Sequence, residues 1–393
     1  MEKEIKTGKI PVMLWTTEVE PGAMDQIRNL SNFPFAFHHV AIMPDCHQGY
    51  GMPIGGVMAT RGVIVPNAVG VDIGCGMSAA ATSLTHIEMP VLKEIMSAVR
   101  RHIPLGFKHH EKPRPKELMP DPGGKGDWKK DMPVVAREYR NALYQLGTLG
   151  GGNHFIEFQK GSDGRIWVMV HSGSRNIGKQ VADHYNRLAI TLNEKWKSPV
   201  PKSWQLACLP EDHKEGQKYI REMNYCIAFA FASRRLMVET ILGIMKDIFG
   251  RDFSHDPLIN IAHNFASLEE HFGERVWVHR KGATQARRGQ TGIVPGSQGS
   301  VSYIVEGLGN PSSFESCSHG AGRVMGRREA MRKLDLDTVK KEMDSRNIIH
   351  SIRSRRDLDE APHAYKDIRQ VMEEQSDLVK IRTELQPLAV IKG

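Results

Sequence analysis

The segment Val71-Asp72-Ile73-Gly74-Cys75-Gly76 sets a carboxylate and a thiol three residues apart among glycines and little bulk. Asp supplies a hard oxygen ligand and Cys a soft thiolate whose sulfur has lone pairs enough to bridge two cations. A Gly-rich turn chosen for its backbone would look the same. Three further stretches share the build of a histidine beside Gly, Ser or Asn near an apolar run: Gly150-Gly151-Gly152-Asn153-His154-Phe155, Val168-Met169-Val170-His171-Ser172-Gly173-Ser174-Arg175 and Asn260-Ile261-Ala262-His263-Asn264-Phe265. Each histidine falls where a buried element opens into a loop, a position suited to a ligand on a rigid scaffold. His263, with apolar neighbours, reads as readily as a core histidine, whereas the glycines near His154 and His171 point to close backbone approach. Together the five residues form a mixed N, O and S donor set, compatible with zinc, manganese or iron and wrong for a calcium or magnesium cage. A pair of metals sharing Cys75 is the arrangement they favour.

Different chemistry lies in Ser316-Cys317-Ser318-His319-Gly320-Ala321-Gly322-Arg323-Val324-Met325-Gly326-Arg327-Arg328, a small-residue loop leading into a basic, helix-like segment. Backbone amides in such turns attract anions, and Arg323, Arg327 and Arg328 add positive charge, so the loop reads as a phosphate site. The spacing of Gly320, Gly322 and Gly326 misses the dinucleotide fingerprint, and no Lys-Ser/Thr completes a P-loop. His319 among these residues could serve as ligand, acid/base or covalent nucleophile.

Further blocks stand at Met43-Pro44-Asp45-Cys46-His47-Gln48-Gly49, Arg280-Lys281-Gly282-Ala283, Ile293-Val294-Pro295-Gly296-Ser297, Ala364-Tyr365-Lys366-Asp367 and Val390-Ile391-Lys392-Gly393. With the motifs above, in this order and over nearly the whole length, the chain resembles the RtcB family of GTP-dependent RNA ligases. The resemblance implies a manganese enzyme with two ions that joins an RNA 3′-phosphate or 2′,3′-cyclic phosphate end to a 5′-hydroxyl end. GTP would first guanylylate a histidine, matched by His319, and an RNA(3′)pp(5′)G intermediate would follow. The metal ligands carry over as Asp72, Cys75, His154, His171 and His263, with Cys75 at the bridging position. Asn153, Glu157, Ser297, Ser302, Ala321, Gly322, Tyr365 and Lys392 fall on guanylate-contact positions. A carboxylate such as Glu157 can accept from the N1 and N2 hydrogens of guanine, while O6 suits a cation such as Lys392. Gln298 departs from the Met that many members carry, which bears on the preferred RNA. The role implied is tRNA splicing or RNA repair. Competing readings are a 3′-phosphate guanylyl capping enzyme, a metal-dependent cyclic-phosphate hydrolase that would need neither His319 nor Glu157, and an idle RNA-binding protein that keeps metal for structure.

The elements that must bring these residues together read as irregularly alternating strands and helices. Strands are expected over 35–42, 56–65, 155–159, 166–170, 276–279, 301–305 and 388–391, and helices over 91–102, 134–146, 177–195, 217–249, 336–343 and 368–375. That favours an α+β fold with mixed or antiparallel sheets around a central metal cleft and helices packed outside, over a doubly wound sheet. Because the candidate ligands at 72, 154, 171 and 263 and the histidine at 319 must converge, residues 1–393 are expected to form one catalytic domain. The Met-rich and aromatic positions from Tyr225 to Met245 fit a buried helix face.

Composition is consistent with a polyanionic partner. Lys and Arg number 53 against 45 Asp and Glu, a net +8 with a sequence pI of about 9.1. The densest basic stretches are Arg100 to Lys116, readable as RNA contact or as a solvated Pro-rich loop, and Arg323 to Lys333. The five cysteines contain no Cys-x-x-Cys pair, which fits a reducing compartment. The start Met1-Glu2-Lys3-Glu4-Ile5-Lys6 lacks an apolar signal core and no apolar run suits a membrane span, so a cytoplasmic enzyme with no membrane partner is expected.

Overall fold

Apolar runs too short for helices become strands and sort into two large sheets. A computed structural model describes residues 3–123 and 127–393; Met1-Glu2, part of the segment read above for a signal core, lies outside them. The first sheet has six strands, in the order Lys3–Ile5, Val12–Leu14, Ala36–Tyr50, Met52–Thr60, Glu274–Lys281 and Asn264–His271. All neighbours run antiparallel except Val12–Leu14 beside Ala36–Tyr50. The second has seven, antiparallel throughout, in the order Ile259–Ala262, Gly76–Ala81, Ile166–Ser172, Phe155–Gly161, Val379–Lys392, Ser302–Gly307 and Thr291–Val294.

Strand alternation gives the seven-stranded sheet two buried faces. One face, with Ala80, Ile156, Phe158, Val168, Val170 and Ile391, packs on Leu92, Ile95 and Val99 of the helix Met89–His102 and on Met237, Ile241 and Met245 of the helix Lys214–Phe249. The other face, with Met77, Phe155, Met169 and Val390, meets Val339 and Met343 of the helix Leu336–Ser345. The Met and aromatic positions of the long helix are thus core, as their spacing requires. In the six-stranded sheet, Val40, Ile42 and Met58 cover Ala23, Ile27 and Leu30 of the helix Pro21–Ser31. Its opposite face joins Val294 and Val305 of the other sheet in a shared core. The architecture is α+β, with helices outside two sheets that meet.

Each expected helix and strand is present, with two instructive differences. The run 56–65 is not one strand: Met52–Thr60 stops at an Arg61-Gly62 turn, and Val63–Ile64 pairs instead with Leu209–Pro210. The strand Gly76–Ala81 was not expected, because Gly-Met-Ser-Ala-Ala-Ala lacks the branched and aromatic residues of strands. It is central and buried throughout, and its small side chains let the long helix pack closely over it. No helix among the described residues is long and apolar enough to cross a membrane.

A buried ion pair couples the six-stranded sheet to the segment that carries His319. Arg280 is fully buried and meets Glu269 at 2.5 Å and 3.1 Å. The same guanidinium donates to Ser316 Oγ and to the Phe314 carbonyl, each at 2.8 Å. Ser316–Ser318 also pairs with Ala283–Gln285, so the chain arriving at His319 is fixed from two sides.

Candidate metal centre and nucleophile

The five candidate ligands converge at one end of the seven-stranded sheet. Asp72 and Cys75 lie in the turn before the strand Gly76–Ala81, closed by the Cys75 N–H donating to the Asp72 carbonyl at 3.1 Å. His171 is the penultimate residue of its strand and stands opposite Met77 and Phe155, while His154 directly precedes Phe155. His263 joins Ile259–Ala262 to Asn264–His271, and its N–H donates to the Cys75 carbonyl at 2.8 Å. Cys75 Sγ lies 3.3 Å from His171 Nε2 and 3.6 Å from His154 Nε2, and His154 Nε2 lies 3.1 Å from Asp72 Oδ2.

Two ligand triads result, Cys75 with His171 and His263, and Asp72 with Cys75 and His154, the atoms of each lying within 4.8 Å of one another. Cys75 belongs to both. Metal–sulfur and metal–nitrogen bonds of first-row ions at tetrahedral angles separate S from N by about 3.5 Å, so the observed spacings suit such ions. Burial drives His171 and His263 well below the ordinary imidazole value, and the neighbouring histidines act the same way, leaving both rings neutral with lone pairs free. His171 shares a 3.0 Å hydrogen bond between Nδ1 and the Asn153 carbonyl; donation from Nδ1 leaves Nε2 toward Cys75. His263 Nδ1 is buried with no hydrogen-bond partner among the described residues. Burial and the Asp72 charge push the Cys75 thiol well above its usual range, so a bound cation is what would ionise it. Beneath the turn the buried Arg234 donates to the Gly74 and Ser172 carbonyls and to Asn260 Oδ1, each at 2.8 Å.

His319 stands beside this cluster, its ring centroid 4.8 Å from that of His263. Its partner is Asp45, fully buried on the strand Ala36–Tyr50. Asp45 Oδ2 accepts from His319 Nδ1–H at 2.6 Å and from the His319 backbone N–H at 3.0 Å. A carboxylate acceptor on Nδ1 fixes the tautomer and leaves the lone pair on Nε2. Gly322 turns the chain back over Asp45 at φ 73°, where any Cβ would collide with the Asp45 carbonyl.

A cavity of about 1040 Å³ opens over His319, His171 and His263. Of the eight guanylate-contact candidates, Asn153, Ser297, Ala321, Gly322, Tyr365 and Lys392 line it. Glu157 and Ser302 do not; they are buried and joined by Gln159 Nε2, which donates to Glu157 Oε2 at 2.8 Å and to Ser302 Oγ at 3.3 Å. Ser302 Oγ also accepts from the Gly296 N–H at 3.1 Å and so holds the turn that presents Ser297. Burial pushes the Glu157 carboxyl up to about 8, with Lys392 and Gln159 acting the other way. Burial lowers the Lys392 ammonium, opposed by Glu360 and Asp359. Arg323 and Arg327, from the loop read as a phosphate site, also line the cavity and meet Glu360 Oε1 at 3.2 Å and 3.1 Å. Tyr365 donates to the same buried carboxylate.

Sequence reasoning gave no role to Asp45, Arg234 or Glu360. Asp45 stood inside a quoted block, and its carboxylate in an otherwise apolar run was the available signal. Arg234 and Glu360 carried none, since an Arg within a long helix and a Glu in a charged loop are commonplace.

Two ligand triads that share Cys75, an imidazole held by a buried carboxylate and a cavity lined by Arg323 and Arg327 suit an enzyme that works on phosphate groups. A family model described as tRNA-splicing ligase RtcB matches residues 26–393. The RNA-splicing ligase RtcB of Escherichia coli (strain K12) is 38% identical over 99% of both chains. The tRNA-splicing ligase RtcB of Thermococcus kodakarensis is 32% identical over 94% of this chain and 91% of its own. The RNA-splicing ligase RtcB of Mycobacterium tuberculosis is 32% identical, covering 94% of this chain and 100% of its own. The chain belongs to the RtcB family and is an RNA ligase.

Proposed function

We propose that the enzyme is a manganese- and GTP-dependent ligase that joins RNA 3′-phosphate or 2′,3′-cyclic phosphate ends to 5′-hydroxyl ends, in tRNA splicing or RNA repair. The observation that carries this reading is the His319–Asp45 pair, which engages Nδ1 and leaves the Nε2 lone pair free on a ring that lines a basic cavity beside two ligand triads sharing Cys75. A cyclic-phosphate hydrolase would have no use for that pair.

Asp72, Cys75 and His154 would hold one ion and Cys75, His171 and His263 the other. Bound there, the metal would supply positive charge for phosphate oxygens that otherwise repel a nucleophile. His319 Nε2 attacks the α-phosphorus of GTP; an N–P bond forms and the bond to pyrophosphate breaks. Asp45 holds the Nδ1 proton and balances the charge the ring acquires. Arg323 and Arg327 face the phosphates and Lys392 takes O6 of guanine; Glu157, which does not line the cavity and is bonded to Gln159, takes the N1 and N2 hydrogens once the base displaces that contact. The RNA 3′-phosphate then takes the guanylate from His319, and attack by the 5′-hydroxyl on the 3′-phosphorus releases GMP. We place the enzyme in the cytoplasm, a reading supported by five buried free thiols.

The test is incubation with α-labelled GTP and manganese, followed by denaturing electrophoresis and peptide mapping. Label on the His319 peptide, released by an RNA 3′-phosphate, is the expected result. Label that passes to the RNA but yields no joined product with a 5′-hydroxyl strand assigns capping instead. No label in the metal-loaded enzyme leaves a hydrolase.

A further inference from the structure

The cavity over His319 has room for more than a guanylate. Its volume of about 1040 Å³ stands at the top of the range that encloses one small ligand, roughly 300–1,000 Å³. Among the guanylate-contact candidates, Asn153, Ser297 and Lys392 come from the strand Val379–Lys392 or from loops beside strands of the seven-stranded sheet. Another part of the lining has no role in that reading. It consists of Gln48, Gly49 and Tyr50 at the end of the strand Ala36–Tyr50, Ile54 on the strand Met52–Thr60, and Glu20 before the helix Pro21–Ser31. All of these belong to the six-stranded sheet or to the helix that covers it.

This wall adjoins His319. Gly282, at φ 60°, lies against both: a Cβ there would collide with Ile54 Cγ2 and stand 3.1 Å from His319 Cε1. Tyr50 is 71% exposed at the end of the wall, yet its backbone is fixed. The buried Lys281 ammonium donates to the Tyr50 carbonyl at 2.6 Å and to the Asn67 carbonyl at 3.0 Å. Gln26 clamps the preceding residue, donating to the Gly49 carbonyl at 2.6 Å and accepting from the Gly49 N–H at 3.0 Å. Gly51 follows at φ 70°, where any Cβ would collide with the Gln205 carbonyl.

Arg328 and Arg332 line the same cavity, one turn apart in the helix Arg327–Lys333. Arg323 and Arg327 are engaged by Glu360, whereas Arg328 and Arg332 make no ion pair among the described residues. Glu329, also in the lining, is taken by Lys333 at 2.6 Å. Glu20, the one carboxylate of the six-stranded wall, accepts from the Gln48 N–H. A bare aromatic ring on a fixed turn, with free guanidinium groups in the same cavity, matches how single-stranded nucleic acid is held. Bases stack on aromatic rings while cations take the phosphates.

A guanine seated on Lys392 and Glu157 fills the seven-stranded side. The nucleoside whose 3′-phosphate takes the guanylate from His319 therefore needs another wall beside that histidine. We infer that the wall from the six-stranded sheet seats the 3′-terminal nucleotide of the RNA strand, its base stacked on Tyr50 and the next phosphate along the strand on Arg328 and Arg332. This rests on the RNA ligation proposed above, and it assigns the unused half of the cavity to the second substrate.

The experiment compares the full-length wild type with Tyr50→Ala, Tyr50→Leu, Tyr50→Phe and Arg328→Gln. Substitution of so exposed a side chain leaves the core untouched. Enzyme carrying labelled guanylate is mixed with increasing 3′-phosphate oligonucleotide, and transfer of label to the RNA gives the half-saturating concentration. Fluorescence anisotropy gives the Kd of 3′-phosphate and 5′-hydroxyl strands directly. Loss of one stacked base raises the half-saturating concentration and the Kd for the 3′-phosphate strand roughly five- to hundredfold in Tyr50→Ala. Phe restores both and Leu does not, while the KM for GTP in guanylylation is unchanged. Arg328→Gln flattens the dependence of log Kd on log salt by roughly 0.7, the share of one phosphate contact on a single strand. Unchanged constants in Tyr50→Ala, full rescue by Leu, a raised KM for GTP, or a rise confined to the 5′-hydroxyl strand overturns the inference. Absence of guanylate label on the wild type sinks the ligase reading instead, and the anisotropy comparison still decides this site.

Discussion

Asp45→Asn removes one charge and almost no volume, and so tests what the fully buried carboxylate does for His319. Oδ2 accepts from both the ring Nδ1–H and the backbone N–H, at 2.6 Å and 3.0 Å. When Nε2 bonds to phosphorus the ring becomes cationic, and the Nδ1–H···Oδ2 contact becomes a hydrogen bond between charged groups. Such bonds contribute about 1.5–3 kcal/mol, which at about 1.4 kcal/mol per tenfold is a loss of about 10- to 150-fold in guanylylation rate. Asn adds a second fault. Its NH₂ can donate to Nδ1, forcing the proton onto the nitrogen that must attack, and a wrong tautomer alone has cost on the order of 10⁴-fold in a histidine held by a buried aspartate in a serine protease.

The rate of α-labelled GTP incorporation under single-turnover conditions is therefore expected to fall by about 10²- to 10⁴-fold. Metal content and melting temperature, measured alongside, should stay close to wild type. Asp45→Ala offers no competing donor and should label at least as fast as Asp45→Asn. Labelling of the Asn variant within about twofold of wild type, with metal retained, would refute the orienting role. An Ala variant markedly slower than Asn would leave charge alone as the explanation.

Three other outcomes are expected. Cys75→Ala should empty both triads, so elemental analysis should find neither ion and labelling should vanish; full metal content would end the bridging assignment. Glu157 must be ionised to accept two guanine N–H groups, and burial lifts its carboxyl to about 8. The KM for GTP should therefore fall as pH rises from 6 to 8 in the wild type, with proton release on binding seen by calorimetry in different buffers. The dependence should be flat and GTP-over-ATP selectivity lower in Glu157→Gln; a wild-type KM that does not fall with pH contradicts the base-reading role. Glu269→Ala leaves the Arg280 guanidinium buried beside an empty site, and denaturant titration should show a loss of about 3–5 kcal/mol, whereas a change below about 1 kcal/mol would show the pair to be dispensable.

The ligand candidates were legible because each is a chemically distinctive residue beside small neighbours at the end of an apolar run. The strand Gly76–Ala81 was not, because its residues carry no strand signal of their own; two flanking strands and a covering helix impose the conformation. Propensity gives way to tertiary context there. Asp45 and His319 are 274 positions apart, and nothing local to either announces the other. Glu360 is hidden for a similar reason: its burial beneath Arg323, Arg327 and Tyr365 is a property of the assembled cavity. The break in the run 56–65 shows the opposite case, where the Arg61-Gly62 turn was present in the sequence and the continuous apolar pattern masked it.

The division of the site between the two sheets explains why its residues are scattered along the chain. Asp72, Cys75, His154 and His171 gather at the ends of three interior strands of the seven-stranded sheet, whereas Asp45 belongs to the six-stranded sheet and His319 follows the short strand anchored on Arg280. His263 lies at the crossing, with Ile259–Ala262 in one sheet and Asn264–His271 in the other. Its ring meets His171 on one side and His319 on the other, at centroid distances of 5.2 Å and 4.8 Å. The distance from His319 to the two ligand triads is thus set by how the two sheets pack, through the core that Val294 and Val305 share with Val57, Val276 and Val278. A packed core has discrete arrangements and does not deform continuously, so this geometry is held more tightly than loops alone could hold it. On the mechanism proposed above, bringing the attacking atom and the charge that stabilises its target from separate sheets also fixes their spacing before substrate arrives, the condition under which proximity contributes most to rate.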